Sequence, residues 1–391
     1  MQGRTTRWVG AVLVVLLAGC GGSAKEPPSK KPVQIWTRGD ISFGVLAPLT
    51  GAEADRGRDL VDGAKLAAED LNVRGGVLGK EVKLLTHDDR CEAAAGRASA
   101  QELAGQAPAG VLGGVCDDAA KAAARTLGKD LPFLVTAANS PRIVSRKQTP
   151  TAYLTNGTPY QAALAALHFL VLDNAHALAT VSTGDRASKT LADQVIGLAS
   201  PSPKAVSQQT IDASADVAQV AKTALAAKPD AVYFAGPAAT SGTLLAALRA
   251  AKYDGSFVAS AESESPEFVQ AAGDAAPGAF VIAPASPQNL PEAAEWTKRF
   301  QERFERPPGR DALLGYNALR ALSQAVTQSG KIDAERNAAE LSRLPESYGG
   351  FLGALRFAAD HTVMYDNNIA LTVGDDGSFK LANTLRSSVD G

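Results

Sequence analysis

From Ile41 to Ser260 the chain alternates short apolar strands with helices that carry an apolar face, and the alternation runs twice. No other feature constrains the fold as much, because strands joined through helices pair in parallel and carry those helices on the faces of the sheet. In the first run Ile41–Ala47 reads as a continuous apolar-leaning strand. Asp59–Val73 places Leu60, Val61, Ala64, Ala67, Ala68 and Leu71 on one helical face. Glu81–Thr86 reads as a strand, Ala93–Ala104 as a helix, Gly110–Val115 as a strand, Ala119–Leu127 as a helix and Pro132–Val135 as a strand.

The pattern then restarts. Tyr160–Leu172 is a helix, Ala177–Ser182 a strand, Lys189–Leu198 a helix and Ala205–Ile211 a strand. Asp216–Ala226, Ala231–Ala235, Ser241–Ala251 and Phe257–Ser260 continue as helix, strand, helix and strand. Two long helices follow, Pro291–Phe304 and Asp311–Ser329, and the tail from about Gly353 reads as short strands with turns such as Gly374-Asp375-Asp376-Gly377. The 391-residue chain therefore leaves roughly 350 residues after position 40, more than one ordinary core holds. The expectation is an α/β protein of two serial lobes.

The N-terminus addresses the chain outside the cytoplasm. Arg4 and Arg7 precede the apolar run Val9–Ala18, which ends in Leu17-Ala18-Gly19-Cys20. Basic, apolar and small residues in that order form a secretory signal, and about ten apolar residues are too few for a bilayer span. Small residues ending in cysteine resemble the lipobox of bacterial lipoproteins, which implies removal of residues 1–19 and a lipid on Cys20. Gly21–Lys31 holds almost nothing apolar, so residues 20–39 are expected to form a flexible linker.

Cysteine arithmetic follows. The chain has Cys20, Cys91 and Cys116. With Cys20 lipidated, the remaining two are expected to pair in an oxidising compartment. Apolar residues make up 45% and charged residues 20%, ordinary for a globular protein. Losing Arg4 and Arg7 moves the formal charge from −2 to −4, which gives no electrostatic footprint for nucleic acid or anionic lipid.

Phe43-Gly44-Val45-Leu46-Ala47-Pro48-Leu49-Thr50-Gly51 resembles the opening of the type I periplasmic binding proteins for branched-chain amino acids and related ligands. Gly63-Ala64, Leu71-Asn72-Val73-Arg74-Gly75-Gly76-Val77-Leu78-Gly79-Lys80, Asp88-Asp89 before Cys91, and Leu314-Gly315-Tyr316-Asn317-Ala318 extend the likeness over nearly all of residues 40–385. The resemblance implies two Rossmann-like lobes with parallel sheets, joined by a three-crossover hinge and closing on a small ligand that a membrane transporter then takes. Residues 40–156 with 285–350 would form the N-terminal lobe, and 157–284 with 351–391 the C-terminal lobe. The crossovers are expected near Thr155–Pro159, Pro284–Pro287 and Gly349–Gly353.

In open α/β sheets, ligands sit beyond the carboxyl ends of strands. That rule selects the loops Pro48–Gly57, Cys116–Asp118, Thr136–Ser140, Thr183–Ala187, Gly236–Thr240 and Ser260–Glu264. The candidate ligand contacts are Arg56, Asp117, Asp118, Ala137, Ala138, Asn139, Asp185, Pro237 and Glu262. Several depart from the family pattern. Asp117, Ala137 and Asn139 stand where amino-acid binders offer Ser, Ala and Thr to a carboxylate, and Arg56 and Ala187 stand where they have aromatics. Glu262 lies near the family's ammonium-binding acid after a one-residue gap. Asp117 would repel a ligand carboxylate, which argues against a simple branched-chain amino acid and for a ligand with a cationic or hydrogen-bond-donating end, Arg56 taking any anionic group. Alternatively, Asp117 only caps a helix and pairs with Arg56.

His87-Asp88-Asp89 is expected to be solvated or capping and not a metal site. His168, His176 and His361 are isolated, and no nucleophile–base constellation or phosphate loop is visible, so neither enzyme chemistry nor a cofactor is expected. Tyr233 and Phe234 read as core. Two functions fit: a lipid-anchored, monomeric solute-binding protein serving an ABC transporter permease, touching the membrane through its anchor only, or a tethered sensor that signals to a membrane receptor or kinase.

Overall fold

The computed structural model describes residues 39–199, 202–212, 214–342, 344, 351, 355–364 and 367–385. Cys20, the signal and most of the 20–39 linker lie outside them, as does Gly349–Gly353 apart from Phe351.

Among the described residues the strands form two sheets. The first runs β2 (Glu81–Asp88), β1 (Asp40–Ala47), β3 (Val111–Gly113), β4 (Phe133–Val135), β5 (Ala152–Leu154), with every neighbour parallel. The second repeats that order as β7 (Lys204–Ile211), β6 (Ala177–Thr183), β8 (Ala231–Ala235), β9 (Ser256–Ser260), β10 (Phe280–Pro284), again parallel. Two further strands, β11 (Asn368–Val373) and β12 (Phe379–Asn383), extend it antiparallel. They are antiparallel because the chain between them is the short turn Gly374–Gly377, and a parallel pair needs a crossover. Each sheet thus reverses its strand order between its first and third strands, and a ligand crevice opens at such a switch point.

The helices follow from apolar periodicity. In the first lobe α1 (Ala54–Val73), α2 (Ala93–Gly105) and α3 (Asp117–Leu127) cover the sheet together with the late helices α9 (Ala294–Phe304), α10 (Arg310–Ser329) and α11 (Ala334–Leu341). In the second, α4 (Pro159–Leu172), α5 (Arg186–Leu198), α6 (Val217–Ala226), α7 (Ala238–Ala250) and α8 (Pro266–Ala272) do so.

Glycines at the α1–α10 crossing let the two backbones meet. A Cβ on Gly63 would stand 1.8 Å from the Ala312 carbonyl oxygen, and one on Gly315 2.2 Å from that of Leu60. Around this contact Leu60, Ala64, Leu319 and Leu322 are buried, each leucine contributing about 1.5–3 kcal/mol. Asp59 accepts from the Gly309 and Ala312 amides at 3.0 and 2.8 Å and pairs with Arg306 at 2.9 Å, so one carboxylate fixes the start of α10 to α1.

Cys91 and Cys116 form a disulfide with their Cα atoms 5.2 Å apart, joining the loop before α2 to the residue preceding α3. The His87–Asp89 stretch knits strand ends together. Asp88 accepts from the Leu49 amide at 2.8 Å and the Thr50 hydroxyl at 2.6 Å, while Asp89 is buried.

The periodicity reading needs amendment at several places. The helix expected at Asp59 begins at Ala54, and Pro291–Phe304 opens as a 3₁₀ turn at Pro291–Ala293 before α9. β5, α8, β10 and α11 were not expected. Residues 357–363, placed with the C-terminal lobe by the sequence, run beside β5 of the first sheet: Val363 donates to Leu154 at 3.0 Å and Tyr153 stacks on His361.

Candidate functional site

The carboxyl ends of both sheets converge on a cavity of about 590 Å³. Glu53 and Arg56 reach it after β1, Asp117 after β3, Ala137–Asn139 after β4 and Asn156–Pro159 after β5. From the second sheet come Ala187 and Ser188 after β6, Gly236 after β8, Ser260–Glu262 after β9 and Pro284 at the end of β10. Tyr233, Ile282 and Leu191 supply an apolar wall, and Arg310, the first residue of α10, enters from the late helices. The segment leaving β5 and the end of β10, two of the expected crossovers, therefore border the cavity itself.

Charge is arranged unevenly. Arg56 donates Nε to Asp311 at 2.8 Å and Nη1 to Glu53 at 3.1 Å. Burial works against its charge, but these two acids outweigh it and hold its pKa above the ordinary arginine value. Arg310 donates Nη2 to the Asn156 side-chain oxygen at 2.6 Å, and its Nε is buried without a hydrogen-bond partner among the described residues. Burial, the dominant cause, pushes its pKa down to about 10 despite the nearby Asp311, so it remains a cation at neutral pH. Asn156 also donates to the Ala137 carbonyl at 2.6 Å, tying Arg310 to the loop after β4. Across the cavity burial, and then repulsion from Asp185, raises the Glu262 carboxyl above its usual range.

The starts of α3, α4 and α5 beside the cavity are already supplied with acceptors or negative charge. Asp117 opens α3, and its Oδ1 accepts from the backbone amides of Asn139 and Ser140 at 3.2 and 3.4 Å. Asp185 caps α5 through the Ser188 amide at 2.9 Å, and Gln161 reaches back to the Thr158 amide at 2.6 Å at the start of α4.

A family model described as periplasmic binding protein matches residues 40–377. The chain belongs to that family. Among relatives in the family, it is 24% identical over 316 residues to an amino acid binding protein of Pseudomonas aeruginosa, which covers 78% of this chain and 83% of the relative. A Leu/Ile/Val-binding protein of Rhizobium johnstonii is 26% identical over 306 residues, covering 77% and 83%. The fold matches the crystal structure of a branched-chain amino acid ABC transporter protein, so described, from Rhodospirillum rubrum. That match has a TM-score of 0.78 at 23% identity and covers 88% of this chain and 99% of the other.

Within this family fold the expected site residues divide. Arg56, Asp117, Ala137, Ala138, Asn139 and Glu262 line the cavity. Asp118 does not, being exposed on the outer side of the first turn of α3. Asp185 and Pro237 line a separate open groove of about 640 Å³ with Asp212 and Thr240. Arg56 pairs with Asp311 and Glu53, not with Asp117, and Asp117 binds the loop after β4 in place of capping its own helix. Arg310 and Asn156 are polar contributors that the sequence does not single out as ligand contacts. Arg310 adjoins the expected helix start at Asp311, Asn156 lies within the crossover expected at Thr155–Pro159, and Tyr233 is core, as its strand position predicts, while also lining the cavity wall. The adjacency of Arg310 to a helix start beside the Gly315-Tyr316 stretch was the available signal.

Proposed function

We propose that this chain is the extracytoplasmic solute-binding component of an ABC transporter, tethered by a lipid on Cys20. It would capture a small polar solute, an amino acid, amide or related compound, and present it to the permease. The two lobes, one built on the first sheet with the late helices and residues 357–363, the other on the second sheet with β11 and β12, would close on the solute by rotation about the crossovers. The reading is of a binding protein without a catalytic step. The observation that carries it is the cavity bordered by the carboxyl ends of both parallel sheets, of a size that suits a small molecule. The names of the relatives, amino acid binding and Leu/Ile/Val-binding, support the solute class.

A thermal-shift screen of amino acids, amides, polyamines and aromatic acids tests the reading. Stabilisation by at least one small solute supports it, since ligand bound only to the folded state raises the melting temperature. A flat response across all four classes would contradict it. For the tether, Cys20→Ala is expected to release the protein to the soluble fraction or leave it unprocessed; unchanged membrane retention with cleavage elsewhere would overturn the anchor.

A further inference from the structure

We propose that Arg310 anchors the ligand through a carboxylate, so that the cleft selects small carboxylic acids by a guanidinium fork and not by loop amides. The inference rests on the solute-binding reading and specifies its ligand class. Three observations lead to it.

First, acids or side-chain acceptors already stand at the starts of α3, α4 and α5 beside the cavity. Anions favour helix N-termini because free amides and the helix dipole meet there. Around this cavity, Asp117 and Asp118 bring negative charge to α3 and Asp117 occupies the Asn139 and Ser140 amides. α4 and α5 are satisfied by Gln161 and Asp185. At these positions a ligand anion meets negative charge or an occupied amide, so a side-chain cation is the more favourable partner.

Second, among the described residues lining the cavity the cations are Arg56 and Arg310, and they are not equivalent. Arg56 spends two edges of its guanidinium on Asp311 and Glu53. Arg310 makes its hydrogen bond to a neutral amide oxygen, and its Nε is buried without a partner among the described residues. A buried, charged donor left unmade is costly, and a carboxylate meets a guanidinium through two parallel hydrogen bonds.

Third, Arg310 is held in place before any ligand arrives. Asn156 binds Nη2 and is itself fixed to the Ala137 carbonyl, while Asp59 pins the start of α10 to α1. The donor is preorganised, which lowers the ordering cost of binding. Asn156 also sits on the segment that leaves the first sheet for α4, so a carboxylate on Arg310 lies against a crossover between the lobes.

Calorimetry on the mature protein with matched probes tests this: L-leucine against isoamylamine, L-arginine against agmatine, benzoate against benzamide. The expected result is that an acid binds, that its carboxylate-free partner binds at least a hundredfold more weakly, and that Arg310→Gln loses the acid by a similar factor. Arg310→Lys, which keeps the charge without the fork, is expected to fall between. The comparison of each acid with its carboxylate-free partner uses the unaltered chain and tests the carboxylate requirement even if a variant folds poorly, while Arg310→Lys, which keeps the charge and most of the side chain, assigns that requirement to Arg310. Equal binding of acid and partner, or a larger loss in Arg56→Gln than in Arg310→Gln, overturns the assignment. If only carboxylate-free probes bind, the Arg310 assignment fails and solute binding stands; if no probe binds, the Arg310 assignment fails, and solute binding fails with it only where the thermal-shift screen is flat as well.

Discussion

The Asp117 carboxylate accepts from the backbone amide of Asn139 at 3.2 Å, so the protein's own negative charge fills a position at the cleft that a ligand anion would otherwise take. Replacing it should have two separable effects. Asp117→Ser removes the acceptor for the Asn139 and Ser140 amides, at a cost of about 1 kcal/mol in stability. It also frees those amides and removes a like charge, so L-leucine should bind the variant roughly tenfold to a hundredfold more tightly than the unaltered protein, about 1.4–2.8 kcal/mol. Calorimetry on both proteins checks this, and equal affinities would refute it.

Removing the Cys91–Cys116 disulfide should weaken the first lobe. The bridge closes a loop of 25 positions, for which chain entropy gives about 3.5 kcal/mol. The double Cys91→Ser, Cys116→Ser variant should unfold at lower urea concentration. A midpoint unchanged from that of the oxidised protein would count against the linkage, as would two freely alkylated thiols in unreduced protein.

Asp89 should make stability fall as pH rises. Burial, followed by repulsion from Asp88, pushes its carboxyl up to about 6, while the Cys91 amide at 3.0 Å only partly compensates. An unfolded aspartate titrates near 3.9, so between about pH 4 and 6 the folded state holds a proton that the unfolded state has released. This contribution is therefore greatest in acid and lost by about pH 7. Asp89→Asn keeps an oxygen for the Cys91 amide and should gain about 1–2 kcal/mol at pH 7.5, with little change at pH 4. Urea midpoints at the two pH values measure it; parallel pH profiles for both proteins would contradict the assignment.

Much of the fold was legible because the local pattern and the tertiary structure agree. Ala231–Ala235 is a strand with the bounds its apolar run predicts. The start of α1 was not, because Ala54-Asp55-Arg56-Gly57-Arg58 carries no apolar periodicity and becomes helical through packing of the helix it begins. β5 has three residues, too few for a period-2 signal. At the site, the strand-end rule found the loops after β1, β3, β4, β6, β8 and β9 without any structure, although Asp185 and Pro237 of two of them face a separate groove. It could not find Arg310, whose role depends on Asn156, 154 positions earlier, and on a burial that local sequence does not encode.

Small-angle scattering in the presence of a solute shown by calorimetry to bind tests the central claim most directly. If the lobes close on a ligand between the carboxyl ends of their sheets, the radius of gyration falls when the solute is saturating and returns when it is dialysed away. Superimposable scattering curves with and without the bound solute would contradict the account.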